Sequence, residues 1–270
     1  MINARWIVQN NLISKSDLQS IKNACQKLKV SCEEVYVVPF SEKLPQFPQD
    51  EKTNIYYGAT AFIQEVHSQF SNSPGIFFDE NLFSVETCMY HWQKHMLNAE
   101  GKITTLEGFS QEDHQPETRW FIRPNADDKS FAGEIICFSE FKEWYKRLIE
   151  QDLDPNTKIL VAPPYSIKKE WRNYIVDGTV VASTLYRKNF KLNISNEESP
   201  RQVIDFIEKR CEEYMPHKLF ALDIALCGDE YFIIECNCLN SIGFYGADIF
   251  TIVKSITKFV ESSSFIVEYQ

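Results

Sequence analysis

The chain has 270 residues, with 28 Lys and Arg against 38 Asp and Glu, a formal charge of −10 with His neutral. At 44% apolar and 14% aromatic residues, with only nine Gly and 11 Pro, it can bury a core and is neither disordered nor fibrous. The acidic balance argues against a broad nucleic-acid surface, which needs Lys and Arg to displace phosphate counterions, and no apolar run approaches the roughly 20 residues that cross a bilayer.

The first third alternates short apolar strands with amphipathic helices. Trp6-Ile7-Val8 reads as a strand, and Ser16 with Gln19 three positions on predicts a capped helix whose apolar stripe is Leu18, Ile21, Cys25 and Leu28. Strands are predicted over residues 35–38, 55–57 and 76–78, with a helix over 59–70, and Pro39, Pro45, Pro48 and Gly75 break the loops. This alternation predicts a small α/β layer over residues 1–80. The N-terminus lacks the apolar stretch of a signal peptide, so a cytoplasmic protein is expected.

A second unit over residues 81–270 opens with a helix over 83–97 and a strand over 120–123. Ser139 is expected to cap a helix whose inner face is Phe141, Trp144, Tyr145 and Leu148, and residues 158–162 read as a buried strand. Asp177-Gly178 between two apolar runs is a strong hairpin signal. Ser199-Pro200 predicts a helix start with Ser as N-cap and Pro at the first helical position, and Val203, Phe206, Ile207 and Cys211 face inward. Two strands around Gly228-Asp229 and a helix over 247–260 complete the chain.

The eight cysteines are dispersed and are read as reduced thiols, and Cys236-x-Cys238 lacks the second pair that structural zinc requires. His91 and His95 lie one helical turn apart without a third ligand. Arg187, Lys188 and Lys191 form a short basic run, either a solvated face or a hold for an acidic substrate.

Residues 219–237 carry the most chemistry. If the turn comprises Gly228, Asp229 and Glu230, Asp223 faces Glu235 across the two strands and Asn237 lies two residues along the same side. Such oxygen donors suit a hard cation such as Mg²⁺, although a solvent-facing hairpin would also carry acids. Ala221, Ala225 and Ile233 on the same side look covered, which favours a site.

An Asp on one strand followed by Glu-x-Asn on the next resembles the metal-binding signature of the ATP-grasp superfamily. Four more segments are similar to a little-characterised branch of it: Arg123-Pro124 with Lys129, Phe131 and Gly133; Glu170-Trp171-Arg172; residues 183–186; and Asn240-Ser241-Ile242-Gly243-Phe244-Tyr245. The resemblance spans roughly residues 80–250 and implies an ATP-grasp fold, two α+β subdomains clasping ATP, behind the N-terminal α/β domain. It implies phosphate contacts by Arg123, in place of the usual Lys, and by Lys129 on a mobile flap. The adenine edge would meet the backbone of Val161 and Ala162, Glu170 the ribose or Arg172, and Arg172 the transferring phosphoryl group. Asp223, Glu235 and Asn237 would hold Mg²⁺, and Ser183, Tyr186, Ser241, Gly243 and Tyr245 would shape the substrate pocket.

The implied activity is an ATP-dependent carboxylate-amine ligase acting through an acylphosphate on small-molecule or peptide substrates. The alternative is a silent nucleotide-binding sensor or partner-binding module.

Overall fold

The computed structural model describes residues 3–38, 43–195 and 197–267, the side chains of 263–267 excepted. Pro39 lies outside the described residues. Strand β1 (Ala4–Gln9) leads to helix α1 (Lys15–Leu28), whose N-cap is Ser14 rather than Ser16, because the Ser14 hydroxyl accepts from Asp17 N at 3.0 Å. Ile21 and Cys25 are buried on its inner face, with Leu18 and Leu28 packed at the margins. Strand β2 (Ser31–Val35) begins four residues before the expected one. It is the edge of a parallel sheet ordered β2-β1-β3, with β3 at Thr53–Tyr57. An edge strand keeps polar residues such as Glu33 and Glu34, so a search for apolar density settles on the residues after it.

Helix α2 (Thr60–Phe70) follows. Residues 76–78 are buried but form no strand. Gly75 crosses β3 so closely that a Cβ there would stand 1.8 Å from Asn54 O. Beyond it the Phe77 N–H is met by a side chain, Asn240 Oδ1 at 2.7 Å, rather than by a ladder.

Helix α3 (Val85–Trp92) ends where Gln93 turns to φ 45°, short of the expected residue 97. Then come β4 (Lys102–Thr105), α4 (Leu106–Ser110), β5 (Arg119–Pro124), β6 (Glu134–Cys137), α5 (Phe138–Glu150) and β7 (Lys158–Ala162). The strands form an antiparallel sheet ordered β4-β7-β5-β6. Phe109 of α4 and Phe141 and Trp144 of α5 pack on Ile122, Ile136 and Val161 of the sheet. Cys137, not Ser139, occupies the N-cap position of α5.

The remaining elements are β8 (Lys169–Val176), β9 (Thr179–Lys188), β10 (Lys191–Leu192), α6 (Arg201–Glu213), β11 (Leu219–Cys227), β12 (Glu230–Cys238) and α7 (Ile249–Val267). They build an antiparallel sheet ordered β10-β9-β8-β11-β12. Asp177 and Gly178, at φ 49° and 77°, make the two-residue turn expected of them. Helix α6 starts one residue late, with Pro200 as N-cap, because the Ser199 hydroxyl donates to Asn173 Oδ1 at 2.6 Å instead.

Asp223 pairs with Glu235 as expected, but by another route. The turn has two residues, so Cys227 faces Glu230, and a bulge after Asp223 restores the offset. The bulge moves Ile233 opposite Ile224 and into the core, away from Glu235.

Two cores cross the expected boundary at residue 80. One joins Ile7, Tyr56 and Phe62 to Trp171, Phe220 and Ile233; the other joins Trp6, Ile21 and Ile55 to Tyr174, Phe244 and Ile256. Burying one such side chain is worth about 1.5–3 kcal/mol, against about 5–15 kcal/mol for a whole domain. Residues 81–270 made alone are therefore expected to lose the cooperative thermal transition of the full chain. A cooperative melt of that fragment by circular dichroism would contradict the shared cores.

Candidate active site

Strands β8, β11 and β12 lie side by side and set Arg172, Asp223 and Glu235 in one row. The Arg172 guanidinium grips Asp223 with both arms, Nε to Oδ1 at 2.8 Å and Nη2 to Oδ2 at 2.6 Å. Asp223 is wholly buried. Glu235 stands 3.5 Å from Arg172 Nη2, and its other oxygen is 2.8 Å from Arg123 Nη1, which reaches across from the sheet that holds β5. Asn237 Nδ2 donates to Glu235 Oε1 at 3.2 Å.

Aromatic residues frame this row. The Arg172 guanidinium lies 5.5 Å from the ring of Tyr186 and 5.0 Å from that of Tyr245, a contact that planar guanidinium favours. The Tyr186 hydroxyl donates to Glu170 Oε2 at 2.9 Å and stands 3.3 Å from Asp223 Oδ2. Tyr245 occupies the left-handed region at φ 48° with its carbonyl accepting from Thr184 Oγ1 at 3.0 Å. A bulky residue held there marks a backbone fixed by its surroundings.

The loop carrying Lys129 is tethered rather than hanging free as a flap. Asn125 Oδ1 accepts from Glu86 N at 2.8 Å, and buried Asp127 accepts from Cys238 N at 3.0 Å through Oδ2. Lys129 Nζ donates to Ser241 O at 3.1 Å. Asp127 was not expected at the site; its only sequence signal is its place between Arg123-Pro124 and Lys129, shared by Asp128.

Burial pushes the Asp223 carboxyl up to about 6, and Arg172 works against that rise. Burial also raises Asp127 to about 6 and lifts Glu170. Burial opposes ionisation of Glu235 too, yet Arg123 and Arg172 outweigh it and hold the carboxyl down at about 2. A carboxyl depressed on folding adds stability above its unfolded value, and that stability is lost as pH falls through the folded value. As pH falls from 4.5 toward 2 the wild type should thus lose stability that Glu235→Gln lacks throughout. Parallel acid titrations of melting temperature for the two proteins check this; identical acid limbs would refute it.

Arg123, Lys129, Arg172, Ile234, Glu235 and Asn237 line a cleft of about 460 Å³, together with Glu170, Tyr186, Arg187 and Tyr245. The bulge that buries Ile233 is what turns Ile234 toward this cleft. Asp223 does not line it. Val161 and Ala162 are not brought to it either: β7 is an inner strand, and Val161 pairs with Lys102 on one side and Ile122 on the other. Ser183 points elsewhere, its hydroxyl accepting from Ser199 N at 2.8 Å. Ser241 and Gly243 present carbonyls, the latter accepting from Tyr174 Oη at 2.9 Å.

Behind the tethered loop lies a second cavity of about 720 Å³, lined by Ser84, Glu86, Tyr90, Asp128 and Lys158 among others. His91 stacks on Tyr214 at 4.0 Å, and Cys236 faces the core. Among the described residues the cysteines are free thiols, no three His, Cys, Asp or Glu side chains gather to hold a metal, and no helix is long and apolar enough to cross a membrane.

A family profile described as ATP-grasp domain, R-2-K clade family 2, matches residues 100–254. Similar solved structures include a RimK domain ATP-grasp protein from Sphaerobacter thermophilus DSM 20745, with TM-score 0.61 and 12% identity over 95% of this chain and 99% of that one. D-alanine–D-alanine ligase from Bacillus anthracis gives 0.58 and 11% over 98% and 100%. A RiPP-associated ATP-grasp ligase from Chryseobacterium gregarium, solved with ADP and a leader and core peptide, gives 0.57 and 12% over 96% and 97%. At such identities the likeness speaks for the fold. No curated protein sequence matches significantly.

Proposed function

Because this chain belongs to the ATP-grasp family, in the clade whose profile it matches, we propose that it is an ATP-dependent ligase joining a carboxylate to an amine. The observation that carries the reading is the convergence of Arg123, Lys129 and Arg172 with the oxygens of Glu235 and Asn237 on one cleft. That charge pattern suits a polyphosphate with its cation, and the volume suits a nucleotide.

The cleft also fits Mg²⁺ in part. Glu235 offers a carboxylate, and Asn237, whose Nδ2 is engaged with Glu235, keeps its carbonyl oxygen for an ion. Asp223 is occupied by Arg172, so we assign it to holding that guanidinium in place ahead of binding metal. Bound Mg²⁺ would offset phosphate charge and polarise the transferring group. Arg123 and Lys129 would bind the phosphates, and Arg172, fixed by Asp223 and the two tyrosines, would face the phosphoryl group as its charge shifts.

In the proposed reaction a substrate carboxylate oxygen attacks the γ-phosphorus, the bond to ADP breaks, and an acylphosphate forms. An amine then displaces inorganic phosphate, giving an amide. No side-chain nucleophile is needed, and positioning supplies much of the rate. We also propose that residues 1–80 serve as a substrate-side layer and that the protein works in the cytoplasm, where ATP is abundant. Tyr186 and Tyr245 remain our candidates for substrate contact.

One observation favours a silent nucleotide-binding module instead, namely that Arg172 and Asp223 satisfy each other without a ligand. Release of ADP from Mg²⁺-ATP with pools of amino acids and peptides separates the two. The ligase reading expects a pool that stimulates release; nucleotide binding with no stimulation by any pool would favour the silent module.

A further inference from the structure

The outer edge of the five-stranded sheet is β10. Asn193 N donates to Tyr186 O at 2.8 Å, so Asn193 faces β9, and the alternation along the two-residue strand turns the N–H and C=O of Leu192 to the open edge, with Ile194 just beyond the strand. Natural edges are usually blunted by charge or covered. This one is short and carries Lys191, yet beside that charge it exposes Phe190 at 58%, Leu192 at 59% and Ile194 at 62% of their surface. Asn189 and Phe190 form the turn with φ 48° and 65°. A left-handed pair suits a two-residue hairpin, but its second place usually goes to Gly, so a solvent-facing Phe there is costly to the fold and unexplained by it.

Charge narrows the occupant. Lys188 and Lys191 are exposed, face each other across the hairpin, and have no acidic partner among the described residues, in a protein of net charge −10. The same hairpin runs back through Arg187 and Tyr186, both of which line the cleft.

We propose that β10 is the docking edge for an acidic, extended peptide that adds to the sheet as a further strand. Its backbone pairs with Leu192 and runs on beside the exposed Ile194, its apolar side chains meet Phe190, Leu192 and Ile194, and its acids meet Lys188 and Lys191. The peptide's course along the hairpin carries one end of it toward Tyr186 and Arg187 at the cleft mouth. This names the substrate class of the ligase reading above and rests on it.

The test uses the full chain and a dye-labelled ten-residue peptide of alternating Glu and Leu, followed by fluorescence anisotropy, with the matching Lys and Leu peptide as control. The acidic probe should bind and the basic one should not. Lys188→Glu with Lys191→Glu should weaken the acidic probe by at least about ten-fold and admit the basic one, and Leu192→Asp should weaken binding comparably. The thermal shift caused by Mg²⁺-ATP shows that these variants still fold. No binding of the acidic probe, equal binding of both probes, or binding unchanged in the variants overturns the proposal. So does a dimer seen by light scattering that Leu192→Asp dissolves, because the edge is then filled by a second copy. Binding lost in the variants without ADP release from the wild type supports the docking edge while counting against the ligase reading.

Discussion

Replacing Glu235 by Gln is expected to lower the proposed Mg²⁺-dependent ATP turnover by about 10²–10³-fold, the scale of losing one preorganised charge at a phosphoryl-transfer site. Glu235 is the carboxylate that joins the two sheets' cationic groups, with Arg123 at 2.8 Å and Arg172 at 3.5 Å. Gln keeps the shape and removes the charge, so both arginines stay in the cleft with less to hold them. If Glu235 binds the cation, the variant should need more Mg²⁺ to reach half its maximal rate, and ATP should still bind. Assays over a range of Mg²⁺ concentrations, at a temperature where circular dichroism shows the fold intact, read both effects. Turnover equal to wild type with the same Mg²⁺ dependence would remove Glu235 from the metal site.

Arg172→Ala should be the most destabilising single change at the site, by about 3–5 kcal/mol, because it leaves Asp223 buried with no counter-charge. Arg172→Met combined with Asp223→Leu should recover most of that loss, since apolar pairs of similar volume often replace a buried ion pair without penalty. Turnover should stay absent in the double variant. Denaturant melts and ADP release measured together separate the two roles. A double variant that regains both stability and turnover would make the pair a structural strut with no part in the chemistry.

The row of residues at the site was legible in outline. Alternation along β11 and β12 was enough to find Asp223 opposite Glu235, although a shorter turn and a bulge, each a one-residue error, cancelled. Ile233 shows what that cancellation hid, since the bulge reverses its face. The pairing of Arg172 with Asp223 could not be read, because nothing local says that β8 rather than some other strand borders β11. The same blindness to strand order affected Val161 and Ala162: an apolar strand looks alike whether its edge is open to a ligand or filled on both sides. Ser14 and Ser16 both offer a capping hydroxyl within three residues of a helix start, and only the backbone path decides between them. Asp127 and Asp128 are adjacent acids, and which one turns inward depends on Cys238, more than a hundred residues away.

The side chain of Asn240 donates to Tyr56 O at 2.6 Å and Gly75 O at 3.0 Å and accepts from Phe77 N at 2.7 Å, while its own carbonyl accepts from Gly58 N at 2.9 Å. Residues 56 to 77 leave the ribosome long before residue 240 does. Until then their backbone groups lack the partner that completes them, and the carbonyls of Ser241 and Gly243 do not yet exist to receive Lys129 and Tyr174. Site assembly thus waits for residue 240: one amide closes a layer made more than 160 residues before it and sets the loop beside the cleft, so no nascent fragment that stops short of it carries the finished site.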